Sequence, residues 1–344
     1  MKTLHYLKLS HLSNWRTCVT TGVMILNGKI PRSFAIALNE LRSGGVVAIP
    51  TETVYGLAAD IRNSSAIEKI FKLKERPAFD PLIVHIENFS SLGVVARDFP
   101  PLAQKLADAF WPGPLTMVLP RREDLNSMIT SGLDTVAVRM PANELTRALI
   151  RELGAPIAAP SANRFGRTSP TTAAHVESEF CTKCDECDLP ILDDGPCTVG
   201  IESTVIGFLK GDRISILRPG AVTAEQLAKF GPVKQLVNSS QSPGHLLHHY
   251  MPEVPLVILS NDQVTPSRYE QIRHELKMDV LHPGWMTLPE DPTLTARLLY
   301  AEMRAQAEAQ NVNCLFLNYP IQERRSDLWA GISDRIEKAA TIVI

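Results

Sequence analysis

The sequence predicts an α/β protein: a partly parallel sheet covered by helices on both faces, followed by a second, smaller α/β domain. Three observations carry this. Short apolar runs such as "VVAIP", "LTMVLP" and "TVAVRMP" alternate with stretches of helical spacing such as "PLAQKLADAFW" and "NELTRALIREL". Several of the runs are almost continuously apolar, as strands buried on two faces are. At 344 residues, 44% apolar and 21% charged, the chain is long enough for two ordinary domains with real cores.

The elements follow in order. The first 39 residues carry Lys2, Lys8, Arg16, Lys29 and Arg32 but no Asp or Glu, the acid-poor bias of a transit peptide. Only one Arg precedes Met24 and no apolar face stands out, so an upstream start codon with Met24 as the working start is preferred. Residues 1–32 are set apart as an N-terminal extension. Ser33 to Arg42 has amphipathic spacing and stops at Gly44-Gly45. "VVAIP" is a buried strand. Ser65 and Glu68 make a capping-box pattern for a helix running to about Lys74. "PLIVHI" (81–86), "LTMVLP" (115–120), "TVAVRMP" (135–141) and "PIAAP" (156–160) read as strands. Helices are expected over 101–111 and over 143–153, the latter closed by Gly154. "STVIGF" and "RISILRP" form an antiparallel pair across Lys210-Gly211-Asp212, and Thr223 caps a short helix to Phe230.

Residues 223–253 read as a linker, because from Gly231 to Met251 Ser, Asn, Gln, Pro and Gly dominate. Beyond it "PLVILS", a helix near 266–277, "MDVLHP", a long helix near 293–310, "NCLFLN" and a helix near 326–340 alternate again, giving a second domain over 254–344. No apolar run approaches the roughly 20 residues of a membrane helix. A net charge of -2 gives no global basic field of the kind that nucleic-acid binders show. Cys181-x-x-Cys184-x-x-Cys187 has metal-ligand spacing, but no second pair follows and acids interleave it, so a polar loop with reduced thiols is the plainer reading.

The strands ending at Ile49, Leu119, Met140 and Ala159 are each followed by Pro, which marks an end because it cannot donate in a ladder. Polar groups cluster beside these ends: Thr51, Thr53, Arg121, Arg139, Ser161 and Asn163. Ligands of open α/β sheets gather at such ends. There is no G-x-x-x-x-G-K-[ST] and no G-x-G-x-x-G, so a bound nucleotide would be held by side-chain cations. Lys74 and Arg76 close a helix and suit phosphate, or they simply complement a helix dipole. A strand histidine such as His85 is usually a satisfied half-buried residue. Arg139 at the apolar end of a strand needs an anion. Ser161, Asn163, Glu202, Ser203, Thr204 and Arg218 add small polar groups and one more cation at element ends. No Ser-His-Asp or Cys-His set stands out. The inventory suits an anionic substrate such as a nucleotide beside a small polar partner, with catalysis by positioning and charge neutralisation.

"IPTETVYGLAAD", "KERPAFDPLIVHI", "WPGPLTMVL", "VAVRMP", "PIAAPSANRFGRTSPTTA", "GIESTVI" and "ILRPG", in that order, resemble the threonylcarbamoyl-AMP synthases, and "SPGHLLHHYMP" with a further α/β domain resembles their longer type. The resemblance implies an open, twisted, mixed-sheet YrdC-like domain over 33–222 and a smaller Rossmann-like domain. It implies condensation of L-threonine, bicarbonate and ATP, with magnesium, to threonylcarbamoyl-AMP and pyrophosphate in the cytoplasm. The product would go to downstream tRNA-threonylcarbamoyl transferase proteins, with double-stranded RNA or tRNA as a further partner. By residue-wise match, Thr53, His85, Arg139, the backbone near Ala159, and Ser203 form the threonine pocket. Lys74, Arg76, Asp80, Thr135, Ser161, Asn163, Ser169 and Arg218 contact ATP. Leu246, Leu247 and His248 stand where the family linker has Lys or Arg and an aromatic, leaving His248 as the linker contact. Two rivals are an RNA-binding module without turnover, and a carbamoyl transferase with another donor, whose extra acylphosphatase and zinc-finger regions are not found here.

Overall fold

A computed structural model describes residues 23–181, 189–235, 249–260, 266–320 and 327–344. The first domain runs β1 (Met24–Asn27), α1 (Pro31–Arg42), β2 (Val47–Ile49), β3 (Gly56–Asp60), α2 (Ser64–Lys74), β4 (Ile83–His85), α3 (Pro101–Phe110), β5 (Leu115–Pro120) and β6 (Thr135–Arg139). It continues through α4 (Glu144–Leu153), β7 (Ile157–Ala158), α5 (Ala173–Cys181), β8 (Pro190–Asp193), β9 (Thr204–Leu209), β10 (Arg213–Arg218), α6 (Ala224–Ala228) and β11 (Val233–Gln235). The second domain has β12 (Leu256–Leu259), α7 (Pro266–Leu276), β13 (Pro283–Met286), α8 (Pro292–Ala307), β14 (Cys314–Asn318), α9 (Asp327–Ala339) and β15 (Ile342–Val343).

Among the described residues, eleven strands make one mixed sheet in the order β1-β8-β2-β3-β7-β4-β6-β5-β9-β10-β11. The second sheet, β13-β14-β12-β15, is parallel throughout. Strands β2 and β3 are buried along their whole length, with separate apolar clusters above and below, which is why their sequences are continuously apolar. The mixed α/β sheet and the smaller parallel α/β domain are as expected from sequence. No helix among the described residues is long and apolar enough to cross a membrane.

Several details differ. The cap of α2 is Asn63, whose side chain accepts from the Ala66 amide at 3.1 Å, while Ser65 donates to Asn63. An Asn one residue before the helix outcompetes the Ser-Glu pattern two residues later. Met24–Asn27, counted above with the extension, form an edge strand parallel to β8. Helix α6 is capped by Thr223 as expected, but strand β11 lies in the stretch read as linker, and Val233 pairs with Ile214 of β10. In "MDVLHP" the strand starts only at Pro283, an edge position where a missing N–H is tolerated, while Val280 packs with Tyr269. Strand β3 was not anticipated because "GLAAD" has no β-branched residue. Residues 184, 187 and 246–248, including His248, lie outside the described residues.

Strand polarity also corrects the grouping of strand ends. Strand β5 is antiparallel to β6, and Pro120 pairs with Thr135. Arg121 therefore lies opposite Asp134, just before β6, where its Nε donates to the Leu133 carbonyl, five residues and about 17 Å from Arg139. What gathers the other ends is the shortness of the central strands. With only three residues in β4 and two in β7, loops from both edges meet across them.

Candidate active site

The loop after β2 is built by its hydroxyls. Thr51 Oγ1 accepts from the amides of Thr53 (3.1 Å) and Val54 (3.2 Å) and donates to the Val54 carbonyl at 2.7 Å. Its single proton being used, the 2.9 Å bond to Thr53 must be donated by Thr53. That leaves Thr53 Oγ1 to accept from Arg139 Nη1 at 2.8 Å. Arg139 Nε donates to the Gly113 carbonyl, and Nη2 lies 2.7 Å from Glu52 Oε1. Glu52 Oε2 in turn accepts from the Ala142 amide. The strand arginine is thus charge-balanced by Glu52 and tied to the loop by Thr53.

His85 pairs with Arg139 across the β4–β6 ladder. Burial, with Arg139 nearby, pushes its imidazole down to about 3, so it is neutral at pH 7. Its Nδ1 is 3.3 Å from the Ile83 carbonyl, which favours the proton there and leaves Nε2 an acceptor. Ser203, just before β9, shares a 2.7 Å bond with Thr116. Arg218 at the end of antiparallel β10 reaches back, Nη2 donating to the Ser203 carbonyl (3.0 Å) and hydroxyl (3.2 Å). Arg76 is backed by Asp80 at 2.9 Å and donates to the carbonyls of Asp80 and Pro81.

These side chains meet. One cleft, with about 570 Å3 of empty space partly open to solvent, is lined by Thr53, His85, Arg139, Ala159 and Ser203, and also by Arg76, Ser161 and Arg218. Gly56 lets the walls close: a Cβ there would lie 3.3 Å from both the Ala159 Cβ and the Pro160 carbonyl.

Other residues expected at the site stand behind that wall. Lys74 is fully buried and its Nζ donates to the Ser161 and Asn163 carbonyls, both at 2.5 Å. It clamps the turn that presents Ser161. Burial and the neighbouring Arg76 pull its pKa well below the lysine range. Asn163 Nδ2 ties down the carbonyls of Arg164 and Arg167, and Ser169 donates to Glu202 at 2.6 Å. Asp80 backs Arg76. Thr135 is at the far end of β6, beside Pro120.

Sequence reading did not single out His249 and Tyr250, which close the cleft. Tyr250 has φ +66°, a strained value for a bulky residue, and Met251 docks on the 166–168 loop through the Gly166 carbonyl and the Thr168 amide. Burial, partly opposed by Glu202, pushes His249 down to about 3. The signal was present as a His/Tyr cluster ending a polar stretch at a Pro. Arg335 was missed as well, although a charge between Ile332 and Ile336 on the buried stripe of α9 is itself a signal.

Fold and site together define a two-domain α/β protein whose strand-end cleft is lined by three fixed arginines, Arg76, Arg139 and Arg218, and by small hydroxyl side chains. A family model described as "Telomere recombination" (Sua5, YciO and YrdC) matches residues 39–220, and one described as "Threonylcarbamoyl-AMP synthase, C-terminal domain" matches residues 222–341. The chain belongs to the threonylcarbamoyl-AMP synthase family. It is 44% identical to a threonylcarbamoyl-AMP synthase of Pyrococcus abyssi over 232 residues, 65% of this chain and 67% of that one. It is 41% identical to the Bacillus subtilis threonylcarbamoyl-AMP synthase over 284 residues, 80% of this chain and 79% of that one. The Pyrococcus abyssi Sua5 crystal structure complexed with L-threonine superposes with TM-score 0.80 at 33% identity, covering 94% of this chain and 100% of that one.

Proposed function

We propose that the protein is an L-threonylcarbamoyladenylate synthase, joining L-threonine, bicarbonate and ATP into threonylcarbamoyl-AMP with release of pyrophosphate. The observation that carries this is the convergence of Thr53, His85, Arg139 and Ser203 on the same cleft as Arg76, Ser161 and Arg218. Arg139 receives the threonine carboxylate, and neutral His85 accepts a hydrogen bond through Nε2. The free amine attacks the carbon of bicarbonate, with a C–O bond broken and water released, or of carbon dioxide derived from it, with a proton lost from nitrogen to solvent, giving a carbamate. A carbamate oxygen then attacks the α-phosphorus of ATP, and pyrophosphate leaves. Arg76 and Arg218 neutralise the triphosphate, and Ser161 orients it. Lys74, Asp80, Asn163 and Ser169 act from behind, holding those groups in place.

Magnesium enters as part of the substrate, MgATP. Among the described residues no group of three or more His, Cys, Asp or Glu could hold a metal, and both oxygens of Glu202 already accept hydrogen bonds. An ion carried by phosphate oxygens and water fits this donor set. In this reading the protein works in the cytoplasm and hands its product to tRNA-modifying transferases, with tRNA itself a further partner.

The test is mass detection of threonylcarbamoyl-AMP from threonine, bicarbonate and ATP. The product is expected with all three and is expected to vanish when any one is omitted. No product from the complete mixture overturns the reading.

A further inference from the structure

This inference rests on the synthase reading of the cleft. Glu202 is the acid on the cleft wall, and most of its hydrogen-bond donors come from the second domain. Ser169 Oγ donates to Oε1 at 2.6 Å. The hydroxyl of Tyr300 on α8 (2.9 Å) and Nε of Arg335 on α9 (2.8 Å) both donate to Oε2. Arg335 is completely buried, and its Nη1 also donates to the Pro219 carbonyl at 2.6 Å.

The two points that Arg335 grips are each one residue from a cleft group. Glu202 precedes Ser203, and Pro219 follows Arg218. Ser203 and Arg218 are themselves joined through the 3.0 and 3.2 Å bonds described above. One guanidinium therefore spans the roots of both. The backbones there have no slack. A Cβ on Gly331 of α9 would lie 3.0 Å from Gly220 Cα, and a Cβ on Gly220 would lie 2.5 Å from the Glu202 carbonyl oxygen.

A buried arginine is a costly way to pack a helix, since an apolar side chain of similar volume is often as stable or more so. What the charge adds is a fixed partner for Glu202. Burial alone would raise this carboxylate, yet Arg335 and Arg218 together hold it down at about 2, so it is ionised at every working pH. Without Arg335, the counter-charge left to it is Arg218, the cation assigned to the triphosphate.

We propose that Arg335, with Tyr300, is a positioning residue for the synthase reaction: the second domain fixes Glu202 so that Arg218 stays on Ser203 and faces the triphosphate. The wall shared by nucleotide and amino acid is thereby completed from outside the catalytic domain.

The test uses the full chain and compares Arg335→Met, Arg335→Lys, Tyr300→Phe and the double variant Arg335→Met/Glu202→Gln. Turnover is followed by product mass, and folding by melting temperature and circular dichroism. Arg335→Met is expected to raise KM for ATP by about tenfold or more, the scale of a lost charged hydrogen bond. Arg335→Lys recovers part of this. Adding Glu202→Gln recovers most of it, because Glu202 no longer draws Arg218 away and Asp334, the other carboxylate on Arg335, keeps its pair with Lys338. A purely packing role predicts no such rescue, and its absence overturns the proposal. So does an unchanged KM in folded Arg335→Met. Should Arg335→Met fail to fold, Tyr300→Phe removes one bond and no charge. An approximately threefold rise in KM for ATP is then expected, and an unchanged value overturns the proposal. Absence of product from the unaltered protein is a different result, which sinks the synthase reading itself.

Discussion

Arg139 and Thr53, 86 positions apart in sequence, meet at 2.8 Å, and the bond sets the direction of a hydrogen-bond relay from guanidinium to Thr53 to Thr51 to the Val54 carbonyl. Because every hydroxyl proton in the relay has one place to go, the guanidinium plane is fixed before any ligand arrives. Glu52 balances its charge at Nη2.

Thr53→Val keeps the volume of the side chain but deletes the acceptor and leaves Arg139 Nη1 unpaired. The expected loss in kcat/KM for threonine is about tenfold or more, from the cost of an unsatisfied charged donor. Steady-state rates at varied threonine check this. Arg139→Ala goes further, since it strands Glu52 as a buried, uncompensated charge at about 3–5 kcal/mol. That variant is expected to lose stability as well as activity, so its rates are to be read beside its melting temperature.

Lys74 separates a direct phosphate ligand from a clamp. Its Nζ is committed to the Ser161 and Asn163 carbonyls. Lys74→Met frees the turn and is expected to lower stability by about 1–3 kcal/mol, the cost of unsatisfied buried carbonyls. It should also weaken ATP binding. Chemical denaturation of the ligand-free protein distinguishes the two roles: a group that only bound phosphate would leave that stability unchanged.

Acid is expected to unfold the protein through its buried histidines. Burial holds His85 and His249 at about 3 and His175 at about 4, against an ordinary 6.5. Between those values the unfolded chain binds protons that the fold refuses. Stability is therefore complete above pH 6.5 and falls as pH drops below it, by about 1.4 kcal/mol per pH unit for each of the fully buried His85 and His249 and by less for the partly exposed His175. Glu202, held at about 2 against 4.5, adds a loss of the same sign below pH 4.5. Melting temperature followed from pH 8 to pH 4 should be flat and then decline. His175→Gln, remote from the cleft lining, should reduce the slope. A profile that is flat down to pH 4 contradicts the assignment.

Much of this was legible in the sequence. The helix over 144–153, with Asn143 and Gly154 at its ends, and the β9–β10 hairpin announce themselves through period, cap and turn. So did the positions of Arg139 and Ser203, because a polar group at an apolar strand end demands a partner. Depth was not legible. Lys74 and Arg76 are two residues apart with the same charge, yet one faces a carbonyl turn and the other the cleft. Only the register of the helix end against the Ser161–Asn163 turn decides between them. Strand polarity was hidden too, which is why Arg121 was grouped with Arg139. The Arg335 bond to Glu202 spans 133 positions and leaves no local trace except a charge on an apolar stripe.

That span bears on how the chain matures. Synthesis runs from the amino end, and early domains fold as they emerge. On a ribosome, the sheet bearing Arg139 and Ser203 can assemble long before residue 335 is translated. Through that interval Glu202 lacks the Arg335 guanidinium, and the cleft wall gains that partner only when the last helix docks.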